Sequence, residues 1–136
     1  MTTLFTKIIN REIPADIVYE DELVLAFLDI NPVNKGHTLV VPKVAFENIF
    51  DADIPTLGHM MAVAKKISHA LVATVGATGV NLDMNNGTDA GQEVPHAHLH
   101  VIPRFHRGEA FVVAKHETYA EGESVALAEK LKTAIA

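Results

Sequence analysis

The stretch Val94-Pro-His-Ala-His-Leu-His-Val-Ile-Pro-Arg104 sets three histidines, His96, His98 and His100, at strict alternate positions. A β-strand sends successive side chains to opposite faces, so the three imidazoles are expected on one side of a sheet. Ala97, Leu99 and Val101 then pack on the other side. Histidine changes charge near neutral pH and serves as acid, base, nucleophile or ligand. Three in register on one face form a surface that folding alone has little reason to build.

Outward from this strand the chain reads as one domain, 1–136, without repeats or low-complexity tracts. A short amphipathic helix is expected over Leu4–Asn10, and β-rich runs over Ile17–Tyr19 and Val24–Leu28. A turn-rich segment from Asp29 to Gly36 leads into a strand, His37–Val41, that Pro42 ends. Ile54–Val75 is the long helix, with Leu57, Met60, Met61, Ala64, Ile67, Leu71 and Val75 at helical spacing. Asp53 caps its start and Gly76 ends it. Val80–Asn85 alternates as a half-buried strand, Asn86–Gly91 is a loop, and Glu123–Ala136 is a second helix. The expectation is an α+β domain, with a mainly antiparallel sheet and helices packed on one face.

A net charge of −6 argues against a general nucleic-acid surface, which needs a basic footprint. No cysteine is present, which removes disulfides and thiolate metal sites. No apolar run reaches membrane-spanning length and Met1–Asn10 lacks the apolar core of a signal peptide, so a cytoplasmic protein is expected.

Four readings of the histidines compete on these grounds. One metal ion cannot easily take all three, because strand rise separates the first and third Cα atoms by about 13 Å. Ligand nitrogens must converge to about 2 Å from zinc, so a two-histidine site would need a distant partner. A tract without function suits one isolated histidine better than three in register. Nucleophilic attack at phosphorus uses a neutral imidazole and forms a phospho-histidine that water then cleaves. A nucleotide-binding module without turnover is the fourth.

The pattern His-x-His-x-His followed by Val101 and Ile102 resembles the histidine triad (HIT) family of nucleotide hydrolases and transferases. Further matches run in the family's order: Leu4–Ile9, Glu12–Pro14, Tyr19–Asp21, Leu25–Ile30, Gly36–Lys43, and Asn85–Gly87 through Gly91-Gln92. The core match covers 4–103, leaving 104–136 as a C-terminal extension, and it is most similar to the Hint-like branch of small phosphoramidases. The resemblance implies a HIT-like fold and hydrolysis of purine nucleoside monophosphate amides or esters through a nucleotidyl-His98 intermediate. A diadenosine polyphosphate hydrolase is the alternative, beside the binding module. It implies that His100 contacts phosphate and leaving-group oxygens, His96 orients the nucleophile, and His37 is a proton relay. Asn85 and Gln92 match phosphate contacts and Asp29 the carboxylate that accepts the ribose hydroxyls. Phe5, Ile8, Phe27, Leu28 and Ile30 match the apolar slot around a purine.

A homodimer with an AMP-type substrate and no cofactor completes what the resemblance implies, beside the lack of nucleic-acid and membrane partners expected above from charge and hydropathy. Three departures stand out. Glu93 replaces the Ser or Thr of many relatives, either turning away from phosphate or favouring a cationic leaving group. Thr3 and Thr6 occupy the places of two cysteines that help some members bind structural zinc, so zinc is not expected. The extension after His106 replaces an aromatic-rich tail.

Overall fold

The computed structural model describes residues 2–111 and 116–136. Five strands form one sheet: β1 (Ile17–Glu20), β2 (Val24–Leu28), β3 (Thr38–Pro42), β4 (Gly79–Asp83) and β5 (Leu99–Arg104). Their spatial order is β1-β2-β3-β5-β4, and every neighbouring pair is antiparallel. The helices are α1 (Leu4–Ile9), α2 (Ile54–Val75) and α3 (Glu123–Ile135). The α+β class is as expected.

Alternation divides β2 and β3 between two cores, which is why every residue of both strands is buried. Val24, Ala26, Leu28 and Val40 join Met60, Val63, Ile67 and Leu71 of α2 on one face. Leu25, Phe27, Leu39 and Val41 pack with Phe5 and Ile8 of α1 on the other. The helices therefore cover both faces. Phe5, Ile8 and Ile9 let α1 cap a sheet face that a short periodic signal could not assign. In α2 the inward stripe uses Val63 and Ala70 as well, while Met61 is half exposed.

The ends of α2 follow local chemistry. Asp53 accepts the Thr56 N–H at 3.1 Å, and Gly76 takes the left-handed conformation at φ 73° that stops the helix. Gly36 is another backbone position where glycine is required. Its φ is 103°, and a Cβ there would stand 2.8 Å from Leu71 Cδ2, so the loop closes directly onto α2. No helix among the described residues is long and apolar enough to cross a membrane.

The histidine stretch corrects the expectation in part. Strand β5 begins only at Leu99, so His96 and His98 lie in the approach to it and His100 alone lies within it. Ala97, Leu99 and Val101 do enter the α2-side core. Register sets His100 opposite Leu39 on β3 and opposite Asp83 on β4. Leu39 in turn faces Phe27, which places His100 on the α1 side of the sheet.

Candidate active site

On that side lies a cleft of about 590 Å³, walled by Phe5, Ile8 and Phe27 and by the polar residues Asp29, His37, His98 and His100. The imidazoles stand in a row. Ring centroids are 5.0 Å apart for His98 and His100 and 5.1 Å for His37 and His100, with Phe5 edge-on to both His96 and His98.

His96 is fully buried, at 0% exposure. Its Nε2–H donates to the Pro42 carbonyl at 2.9 Å, and its Nδ1 accepts the Thr3 hydroxyl at 2.8 Å. Both nitrogens are used, so the ring anchors backbone rather than touching a ligand. The backbone it anchors orients the next imidazole: the His96 carbonyl accepts the Nδ1–H of His98 at 2.8 Å. That bond fixes the His98 tautomer and leaves Nε2 with its lone pair at the cleft floor. Burial lowers the His98 pKa, outweighing the carbonyl and Asp29, so the ring stays neutral at and somewhat below its ordinary pKa of 6.5.

The second pair is also fixed by hydrogen bonds. Val33 donates its N–H to His37 Nδ1 at 3.1 Å, so the His37 proton sits on Nε2. His37 Nε2–H then donates to His100 Nδ1 at 2.9 Å. His100 must therefore carry its own proton on Nε2, as a donor to whatever occupies the cleft. Burial, reinforced by His100, depresses the His37 pKa to about 3, and burial likewise lowers that of His100. One imidazole offers a lone pair and its neighbour an N–H. This is the pairing needed to attack a phosphorus and to stabilise the charge that develops on it.

The remaining expected residues divide. Asp29 gives Oδ1 to the Asn31 N–H at 2.9 Å, an Asx turn, and holds Oδ2 3.7 Å from His37 Nε2. It lines the cleft, as do Asn85 and the exposed Glu93, and Ile30 stands at its mouth at 89% exposure. Leu28 reaches the wall, but its side chain belongs to the α2-side core, so it is not part of an apolar slot. The alternation of β2 that points Phe27 at the cleft points Leu28 away.

Gln92 is a correction too. Its amide is fully engaged, with Oε1 accepting from Gly87 N and Asn48 Nδ2 and Nε2 donating to the Glu47 and Val94 carbonyls. It latches the loop before the histidines and has no capacity left for phosphate. Two titratable cleft residues were not assigned to the site from sequence, Asp83 and His116. Asp83 had a signal, since it alternates with Asn81 and Asn85 on the strand paired to β5. His116 had none, because only the return of the C-terminal segment brings it there.

A HIT-domain family model matches residues 10–107. The chain belongs to the HIT-domain family. It is 50% identical over 129 residues to an uncharacterised HIT-like protein of Methanocaldococcus jannaschii, covering 95% of each chain. It is 42% identical to the purine nucleoside phosphoramidase of Escherichia coli, over 74% of this chain and 85% of that one. Among solved structures, a zinc-bound histidine triad protein of Mycobacterium smegmatis superposes with a TM-score of 0.86 at 34% identity, covering 99% and 94% of the two chains. The family thus includes nucleotide hydrolases.

Zinc in a relative raises the question whether this HIT protein's residues suit a metal. Thr3 and Thr6 offer hydroxyls already bonded to each other and, through Thr3, to His96, a donor set unlike the thiolate and imidazole ligands zinc takes. Asp29, His37 and His100 bring three ligand atoms within 4.8 Å of one another. A metal-bound histidine, however, donates its other ring N–H to an acceptor. His37 shows the reverse, since its Nδ1 receives the Val33 N–H. A metal on Nε2 would set two N–H groups face to face, so the cluster fits a hydrogen-bonded relay and not a resident ion.

Proposed function

We propose that this protein hydrolyses purine nucleoside monophosphate amides through a covalent intermediate on His98. The observation that carries the reading is the His98 tautomer, with Nδ1–H tied to the His96 carbonyl and Nε2 free at the cleft. The apolar wall of Phe5, Ile8 and Phe27 suits a flat base, and Asp29 suits ribose hydroxyls because an ionised carboxylate only accepts.

In the first step His98 Nε2 forms a bond to phosphorus while the P–N bond to the amine breaks. The amine leaves with one proton taken from solvent, and His98 is left as a cationic nucleotidyl-imidazole. His100 Nε2–H meanwhile donates to the phosphoryl oxygen on which charge builds. In the second step water attacks phosphorus, the P–Nε2 bond breaks, and a proton returns to solvent. The product is the nucleoside monophosphate, and no metal is required for this bond balance.

Amide substrates are favoured over dinucleoside polyphosphates by the carboxylates Asp29, Asp83 and Glu93 around the cleft. Like charges repel an anionic leaving group and attract an amine that becomes a cation on release. Mixing the protein with an adenosine phosphoramidate and quenching in alkali should trap adenylylated protein, with the mass of one AMP located on His98. Binding of AMP without turnover of amide or dinucleotide would defeat the reading and leave a nucleotide-binding module.

A homodimer belongs to the same proposal. Its support is the open sheet edge along β4 and the exposure of Ile54, Met61 and Val72 on α2. Sedimentation equilibrium should return twice the chain mass of 14.7 kDa, and a monomer at micromolar concentration would refute it.

A further inference from the structure

The turn-rich loop between β2 and β3 carries Asp29 at one end and His37 at the other. Its middle is held by a segment more than eighty residues later. His116 Nδ1–H donates to the Asn31 carbonyl at 2.6 Å, and the Glu117 N–H donates to the Pro32 carbonyl at 2.9 Å. The Lys35 N–H donates to Glu117 Oε2 at 3.3 Å and the Gly36 N–H to the Tyr119 hydroxyl at 2.8 Å. Lys35 Nζ pairs with Glu123 Oε2 at 3.1 Å. Backbone groups on both sides of Val33 are thus bonded to the segment 116–123. The Val33 N–H itself turns inward to His37 Nδ1.

We infer that the segment His116–Glu123 is a strap that sets the proton positions of the His37–His100 pair, with Tyr119 and Glu117 as its positioning residues. The argument is one of donor and acceptor parity. While the Val33 N–H points at His37 Nδ1, the His37 proton sits on Nε2 and His100 presents Nε2–H to the cleft. When the loop is released, His37 is free to hold its proton on Nδ1, and its Nε2 becomes an acceptor for His100 Nδ1–H. His100 then shows a lone pair to the cleft and loses its donor. A hydrogen bond at Val33 thereby decides whether the ring beside the nucleophile is a donor, and the strap decides whether that bond is made. Burial holds the Tyr119 phenol protonated, so its hydroxyl persists through neutral pH.

The test is Tyr119→Phe combined with Glu117→Ala, read first by ¹⁵N NMR of the imidazoles in the free protein. The native protein should show protonated Nε2 and unprotonated Nδ1 on both His37 and His100. The variant should show both tautomers on these two rings, with His98 unchanged and amide exchange at Val33 and Gly36 at least about tenfold faster. Two results overturn the inference. One is fast exchange with the native tautomers retained. The other is exchange as slow as in the native protein, which means the strap does not hold the loop. Tyr119→Phe alone is the milder variant if the double one melts.

The activity arm rests on the function proposed above. There kcat/KM for an adenosine phosphoramidate should fall about tenfold, as expected for partial loss of a hydrogen-bond donor to the phosphoryl oxygen, with a changed pH profile. Native protein without turnover would refute that function while leaving the NMR result to decide the strap.

Discussion

His98→Ala is expected to reduce phosphoramidate turnover by at least about 10⁴-fold, more than 5 kcal/mol of barrier, while AMP binding stays within a few-fold of native. The size follows from what the ring supplies. The attacking lone pair on Nε2 exists because Nδ1–H is held by the His96 carbonyl, and no other imidazole of the row has a free lone pair facing the cleft. The base and ribose contacts proposed above would lie elsewhere, on the cleft residues Phe5, Phe27 and Asp29. Isothermal calorimetry with AMP and a turnover assay on the same preparation separate the two effects. A variant that keeps a tenth of native activity would show that the covalent route through His98 is wrong. A thermal melt guards against simple unfolding, since His98 is only 8% exposed and packs against Phe5.

The second large effect is loss of stability in mild acid, beginning near pH 6.5. Burial depresses the pKa of His37, His96, His98 and His100, and that of His37 falls from 6.5 to about 3. Between those values the unfolded chain holds a proton at His37 that the folded chain refuses. Stability therefore rises with pH across this window and falls on acidification. From pH 6.5 to 4.5 the His37 contribution alone is about 2 kcal/mol, with smaller additions from the other three over narrower ranges. Urea midpoints at pH 7.5, 6 and 5 should fall steadily, already above the range where carboxylates such as Asp21 begin to protonate. A flat profile from pH 7.5 to 5 would show that the row is not held neutral. The same burial keeps the His98 lone pair available somewhat below pH 6.5, so the folded protein should stay active while its stability declines.

Much of this was legible in the residues themselves. The helical spacing of α2, its Asp53 and Gly76 ends, and the strand signals all appear in the structure close to where local patterns place them. So does the family, because ordered matches from Leu4 to Pro103 accompany the histidines. The failures share one cause. Leu28 and Phe27 are adjacent apolar residues in one strand, and only the packing of α2 on one sheet face and α1 on the other tells which faces the cleft. Gln92 is an amide beside an active loop, and only the convergence of Asn48, Glu47 and Gly87 on it shows that it is saturated.

The three histidines mark the same division. Their alternation alone pointed the imidazoles to one side, as the period of an extended chain dictates, although only His100 lies within β5. Tertiary structure decided what each imidazole is. Thr3 and the Pro42 carbonyl make His96 an anchor, the His96 carbonyl leaves His98 with its lone pair on Nε2, and Val33 acting through His37 makes His100 a donor. An imidazole's role is fixed by which nitrogen holds the proton, and that depends on partners brought from distant parts of the chain.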